Sequence, residues 1–488
     1  MKLKLFGKWG LFLSGILFLL SLMAYSPSMA VAAKPEKAKK EDKGPKVNAA
    51  FDFKKMGDMS DFDPTNPIIP TGDTIKIGVI GSHSGAAALA GQMYWLCANW
   101  AAHDINKKGG IMVDGKKKKI QLFKGDHMGK PDQCKKMVER LITQDGVQIL
   151  WGSNQSNMMK ILQETANKYK VICSNAIALS DELMNATNFN RYTFMSSLGT
   201  DQVAQALAYY YGQKKKEKKF YILCQDYLFG HDMAESFKNG LKRHYPEATI
   251  VGEDYHKLFL TDFAPYLEKI KASGTEVLYT ADWIPDSSNL LKQMRQMGIK
   301  LPVANIFLDE PSFLNEMGVE ATKGLVNVSI YMDKGSVFKT PEQIKYYELW
   351  HNQWKKWKAP YNTRLYEHAW TGNLGAYTQN MYWLLSVIER AKSTDPEKII
   401  KVWEGDVYRL QNGKIVKMRA CDHKVVQDVA VFEFVPPNQQ KASFNAPPYF
   451  WYQSSSSYGV GFGVPATVVP AWMDDKLDRC KGKDISGK

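Results

Sequence analysis

The sequence predicts an α/β protein built as two successive parallel-sheet lobes. Short apolar runs rich in β-branched residues recur along it, each followed by a polar loop and then a stretch with helical spacing. The series restarts at Asp201, and 488 residues are more than one core usually serves.

The first unit spans Thr74 to Asn106. Ile75-Lys76-Ile77-Gly78-Val79-Ile80 reads as a strand buried near a sheet centre. Gly81, Gly85 and Gly91 punctuate the loop that follows. Met93, Leu96, Cys97, Trp100, Ala101 and Ile105 then recur at helical spacing until Asn106-Lys107-Lys108-Gly109-Gly110 stops the helix. The spacing of Gly78, Gly81 and Gly85 is not the dinucleotide fingerprint GxGxxG.

Further strands are expected at Ile120 to Phe123, Val147 to Trp151 and Val171 to Cys173. A helix begins near Pro131, which suits a first turn, and another runs from about Ser156 to Tyr169. The second series has a helix through Tyr211 and strands at Phe220 to Cys224, Thr249 to Val251, Val277 to Thr280 and Val303 to Phe307. Strands alternating with helices at this spacing imply parallel sheets covered on both faces. Ligands of such sheets sit beyond the carboxyl ends of the strands, which selects Ser84, Ser156 and Ala176 to Ala178 in one lobe.

The net charge of +14 invites a nucleic-acid partner. The basic residues, however, are scattered among acids and enriched only at the N-terminal end, so they read as a solvated surface and no nucleic-acid partner is expected. Lys2, Lys4 and Lys8, the apolar run Leu11 to Ala24, and the small residues Ser28-Met29-Ala30 and Val31-Ala32-Ala33 form a secretory signal over 1–33. An uncleaved anchor is the alternative. No cysteine lies near the cleavage region, so a lipoprotein is not expected and the mature chain belongs in the periplasm. Residues 34–73, Lys-rich and then dotted with prolines, read as a leader or tether. Six cysteines fit an oxidising compartment. Cys173 and Cys224 end apolar strands and read as buried thiols, which leaves Cys97, Cys134, Cys421 and Cys480 as the expected bridge-formers.

Ser84-Gly85, Gly91 and Asp104-Ile105-Asn106 followed by Gly109-Gly110-Ile111 resemble the type I periplasmic binding proteins of the leucine/isoleucine/valine-binding family. So do Thr261-Asp262-Phe263, Lys323-Gly324-Leu325, and Asp422-His423 before Val429 to Phe434, which carries the resemblance to about Val435. It implies two Rossmann-like lobes joined by a three-strand hinge, crossed near Ser197, Val328 and Ser393. Lobe 1 would comprise 74–197 and 329–393, and lobe 2 would comprise 198–328 and 394–435, closed by a hairpin at Asn412-Gly413. The long helical run Tyr366 to Ala391 would return to lobe 1. Residues 436–488, rich in aromatics, Gly and Ser, form an extension expected to fold back as irregular structure, or to dock a partner.

The resemblance also implies a site. Ser156 would hold a ligand carboxylate with the N–H groups of its helix start, although a serine there can equally cap the helix. Backbone N–H groups at Ala176 and Ala178 would assist. Asp309 would receive the ligand ammonium, or else cap the helix from Pro311 to Met317. Phe229 and Trp283 would cover the ligand, Trp283 with a cation–π option. Ala178, Phe229 and Asp282 depart from the threonine, tyrosine and glycine common in the family, which leaves the amino-acid reading intact but not leucine, isoleucine or valine specifically.

Catalysis finds no support in the motifs. There is no GxSxG, Walker A or HExxH, and the nine histidines stand singly, so no enzyme, metal or cofactor is expected. The expected role is a solute receptor that closes on an amino acid or similar zwitterion and delivers it to an ABC importer. A sensory protein of the same fold, or a receptor for urea or short amides, are the alternatives.

Overall fold

The structure is a computed structural model that describes residues 47–308, 311–329, 340–367, 372–411, 413–435 and 457–464, together with Cys480. The expected signal segment 1–33, Asp309 and most of the 436–488 extension lie outside the described residues.

The chain enters at strand β1 (Ala49–Ala50) and continues through β2 (Ile75–Gly81), α1 (Ala88–Lys107) and the hairpin β3 (Ile111–Val113) and β4 (Lys116–Lys118). It goes on with β5 (Ile120–Asp126), α2 (Pro131–Thr143), β6 (Ile149–Gly152), α3 (Ser156–Tyr169), β7 (Ile172–Asn175) and β8 (Thr193–Met195). Strands β5-β2-β6-β7-β8 form one sheet, parallel throughout. Ile75, Ile77, Val79 and Ile80 of β2 are all fully buried. That is why its apolar residues do not alternate: helices cover both faces.

The second series comprises α4 (Thr200–Lys214), β9 (Lys219–Gln225), α5 (Leu228–His244), β10 (Thr249–His256), α6 (Ala264–Ala272), β11 (Val277–Tyr279) and α7 (Asp286–Gln296). It ends with β12 (Val303–Asn305), α8 (Pro311–Thr322), which breaks at Gly318, and β13 (Leu325–Ser329). These strands pair in parallel in the order β10-β9-β11-β12-β13. In chain order, both sheets therefore run second-first-third-fourth-fifth. Each has a topological switch point beside its first strand, where a crevice opens beyond the carboxyl ends.

After β13 come α9 (Pro341–Trp354), α10 (Arg364–Glu367), α11 (Gly372–Ala391) and α12 (Pro396–Trp403). Helix α11 does return to the first lobe: Tyr382 hydroxyl donates to Asp104 Oδ2 at 2.8 Å and Asn380 Nδ2 to the Ala176 carbonyl at 2.7 Å. The hairpin of β14 (Val407–Arg409) and β15 (Ile415–Met418) does not close the second sheet as expected. With β16 (Val425–Val426) and β1 it makes a separate small sheet. Tyr408 stacks on Trp383 of α11, and Trp403 stacks on Phe194 of β8. This aromatic packing keeps 394–418 with the first lobe, so the last crossing falls near Lys424, which bridges to Met195, and not at Ser393.

Two further expectations change. Part of the segment read as a tether is packed, with Met59 and Phe62 buried, while most of 65–73 is exposed. Phe62 is buried against Trp100 and Trp357, and Phe51 lies edge-on to Tyr346 and Tyr382. The extension, read as irregular, supplies strand β18 (Ser457–Val464). It pairs antiparallel with β17 (Val429–Val435), which itself pairs antiparallel with β13. Cys421 and Cys480 are disulfide-bonded, whereas Cys97, Cys134, Cys173 and Cys224 form no disulfide among the described residues and are buried. Cys97 and Cys134 were thus misread: both face helix–sheet cores, where burial pushes each thiol up to about 12.

Candidate functional site

Both switch points open onto one cleft of about 570 Å³, counted to its mouth. From the first lobe it is lined by Leu89, Ala90 and Met93 of α1, by Asn154 and Ser156 after β6, and by Ile177, Ala178 and Leu179 after β7. Tyr227 and Phe229 after β9, Trp283 and Ile284 after β11, and Phe307 after β12 line it from the second lobe, and Tyr377 of α11 completes it. Among the described residues none of these carries an ionised side chain.

Of the seven residues selected from the sequence, Ser156, Ala178, Phe229 and Trp283 line this cleft. Ser156 is the first residue of α3 and is buried. Gln155, at the capping position, offers no side-chain bond, so the N–H groups of the first turn are uncapped. Among the described residues the Ser156 hydroxyl oxygen accepts only a long bond from the Ser180 amide, 3.4 Å, and its hydrogen has no acceptor there. Beside it, Asn154 Oδ1 accepts from the Ser82 amide at 2.9 Å while its buried Nδ2 has no partner among the described residues. These groups can hold an anionic oxygen, aided by the helix dipole.

The other first-lobe expectations are corrected. The Ala178 amide donates to Asn175 Oδ1 at 2.9 Å, and the Ala176 amide to the Gly152 carbonyl at 3.3 Å. Neither N–H is left for a carboxylate. Ala176 is fully buried outside the cleft lining. Ser84 also lies outside that lining and is spent on loop structure, donating to Asp126 Oδ2 at 2.5 Å. Burial pushes the Asp126 carboxyl up, but the Ser84 hydroxyl and the Met128 and His83 amides hold it below its ordinary value. Gly91 permits this loop: a Cβ there would lie 2.2 Å from the Ser82 carbonyl oxygen.

The second-lobe wall is aromatic. Phe229 sits on the first turn of α5, its ring 5.9 Å from Tyr227 and 6.0 Å from Phe307. The helix can start this close to β9 because residue 230 is glycine, where a Cβ would fall 1.9 Å from the Gln225 carbonyl oxygen. Trp283 donates from Nε1 to the Tyr227 hydroxyl at 2.9 Å and meets Phe259 edge-on at 5.7 Å. Tyr227, Phe307 and Tyr377 were missed in the sequence. Tyr227 was reachable, since Asp226-Tyr227-Leu228-Phe229-Gly230 follows a strand directly; Tyr377, on a helix returning from far along the chain, gave no local signal.

Behind the wall, buried His256 and Asp282 pair at 2.9 Å, and Asp286 accepts from Gln225 Nε2 at 2.7 Å and the Phe259 amide at 2.9 Å. Among the described residues the one grouping of potential metal ligands is Cys421, Asp422 and Cys480, whose two sulfurs are bonded to each other. No described helix is long and apolar enough to cross a membrane.

A family model described as periplasmic binding protein matches residues 74–441. An amino acid binding protein of Pseudomonas aeruginosa is 29% identical over 253 residues, 51% of this chain and 63% of its own length. A Leu/Ile/Val-binding protein homolog of Brucella abortus is 25% identical over 270 residues, 52% of this chain and 62% of its own. The chain thus spans a little under two thirds of these relatives. The crystal structure of a solute binding protein of an ABC transporter from R. palustris, in complex with 4-hydroxybenzoate, superposes with a TM-score of 0.65 at 21% identity, covering 80% of this chain and 97% of that one. With a family match over well more than half its length and the duplicated fold described above, this chain belongs to the periplasmic binding protein family.

Proposed function

We propose that this protein is a periplasmic solute receptor that encloses a small carboxylate-bearing ligand between its lobes and presents the closed form to a membrane ABC importer. One observation carries the reading. A single cleft joins the two switch points, with the uncapped start of α3 and Ser156 on one side and the aromatic wall of Tyr227, Phe229 and Trp283 on the other. The carboxylate lies against α3 and the apolar body of the ligand against the wall. Closure follows from hinge motion at the crossings. The ligand is an amino acid if Asp309 takes its ammonium, as the family resemblance implies, and the amino acid and Leu/Ile/Val-binding relatives favour this. A second reading, an aromatic monocarboxylate without an amine, is favoured by the uncharged aromatic lining and by the 4-hydroxybenzoate bound in the R. palustris protein.

A thermal-shift panel of leucine, isoleucine, valine, phenylalanine, 4-hydroxybenzoate, urea and acetamide separates these readings. A true ligand at one hundred times its dissociation constant stabilises by about 2.7 kcal/mol. Shifts confined to amino acids support the first reading and shifts confined to 4-hydroxybenzoate the second. Shifts by urea or acetamide alone would refute both.

A further inference from the structure

The aromatic wall of the cleft stands on a buried polar network contributed by three strand ends. His256 closes edge strand β10 and reaches past the end of β9 to Asp282 in the loop after β11, Nε2 to Oδ2 at 2.9 Å. Both side chains are buried, at 1% and 0% exposure. Its other ring nitrogen, Nδ1, faces the Lys257 carbonyl at 2.9 Å. A carbonyl only accepts, so Nδ1 carries hydrogen, and Nε2 faces a carboxylate. An imidazolium, with both ring nitrogens donating, satisfies this pair of acceptors.

This pair brackets the ligand-facing residue. Trp283 follows Asp282 directly, and its carbonyl accepts from the Ser287 amide at 3.2 Å. Asn305 Nδ2 donates to the Asp282 carbonyl at 3.2 Å, and the Asp282 amide to Thr280 Oγ1 at 3.1 Å. The His256 carbonyl accepts from the Asp226 amide at 2.7 Å, next to Tyr227. One residue thus ties both loops whose side chains meet in the bond between Trp283 and Tyr227.

We propose that His256 is a positioning residue for the ligand cleft: paired with Asp282, it fixes the loop that presents Trp283, and loss of its charge releases that wall. The part that concerns ligand affinity rests on the cleft being the solute site. Burial opposes the imidazolium, but the Asp282 carboxylate and the Lys257 carbonyl outweigh it and raise its pKa. The other ionisable groups around it are Asp286, whose carboxyl burial pushes up to about 6, Cys224 and Asp226 on the β9 end, Tyr227, Lys257, and Tyr266 of α6, whose ring lies 6.1 Å away. Burial pushes the Asp282 carboxyl up while His256 opposes that rise, so neutralising His256 takes the counter-charge from a fully buried carboxyl and weakens the contact that holds the loop.

The test uses the full chain labelled with 5-fluorotryptophan, the Trp283 fluorine resonance being assigned by its absence in Trp283→Phe. In ligand-free protein that resonance should shift with one midpoint above the ordinary histidine value. In His256→Gln it should sit elsewhere and stay flat with pH. In Asp282→Asn it should also sit elsewhere, with its midpoint moved to lower pH because burial then opposes the imidazolium without a carboxylate beside it. Calorimetry with leucine and 4-hydroxybenzoate should show at least a tenfold loss for whichever solute binds wild type, in His256→Gln and in wild type above the midpoint. A Trp283 resonance that ignores pH in the wild type, or that is unchanged by either variant, overturns the assignment. If the fluorine signal behaves as expected but neither these two nor any other amino acid of the thermal-shift panel binds, the cleft reading fails while the positioning of Trp283 by His256 stands.

Discussion

Ser156 opens a helix that no described side chain caps, and its own hydroxyl hydrogen has no acceptor among the described residues. The alternative role as a helix cap falls away, because the capping position belongs to Gln155. Ser156→Ala should weaken binding of the true ligand by roughly 1–3 kcal/mol, since the helix N–H groups remain. Asp309→Ala should cost about 2–5 kcal/mol if the ligand is an amino acid, because its ammonium would lose its partner in a closed cleft. For an aromatic carboxylate the same change should have little effect. Isothermal titration of both variants with the solute found in the panel reads this directly. An Asp309 variant that binds its amino acid as tightly as wild type would remove the ammonium role from that residue.

At the scale of elements, the lobes are joined by a cap as well as by strands. Asp181, in the loop after β7, accepts from the Asp201 amide at 2.7 Å and from Thr200 Oγ1 at 3.3 Å, so a first-lobe carboxylate sits on the first turn of second-lobe helix α4. This is favourable against the helix dipole. Asp181 also pairs with buried Lys424 at the last crossing. Gly199 makes room: a Cβ there would come within 2.0 Å of Asp181 Oδ1. Asp181→Ala should destabilise by more than the ~1 kcal/mol of a lost cap. It should approach the about 3–5 kcal/mol of a broken buried pair. Asp181→Asn keeps the acceptor and should recover the cap share alone. Urea unfolding of the three proteins decides. Equal stability of wild type and Asp181→Ala would mean that the junction is held by the strands only.

Over the whole molecule, the late chain is fastened twice to the second lobe and its crossing. Strand β18 adds to β17, and the Cys421–Cys480 bridge closes a loop with a sequence separation of 59. Chain entropy for such a loop corresponds to roughly 4 kcal/mol. A Cys421→Ser, Cys480→Ser protein should therefore unfold at lower denaturant concentration than wild type, and wild type treated with reductant should match it. A midpoint that does not move would show that this cross-link constrains the unfolded chain little. The four buried thiols should resist alkylation in native protein, since desolvation disfavours the thiolate of each.

Local order alone determined the alternation of strands and helices, the duplicated parallel sheets and the rim that lines the cleft. Each of these depends on the period of apolar side chains and on glycines a few residues away, as in Ile75 to Gly91. It also singled out Ser156, Phe229 and Trp283, because they follow strand ends directly. What it could not decide were pairings between distant segments. Ala49 meets Tyr408, Val435 meets Ser457, and Cys421 finds Cys480 while Cys97 stays a thiol. Such choices turn on which buried surface or open sheet edge is nearest once the lobes have formed, and nothing in a segment's own periodicity encodes that. The same holds within the site. Asn175 folds back to take the Ala178 amide, and His256 reaches across a strand to Asp282, so the groups free to meet a ligand are those that tertiary packing leaves unspent.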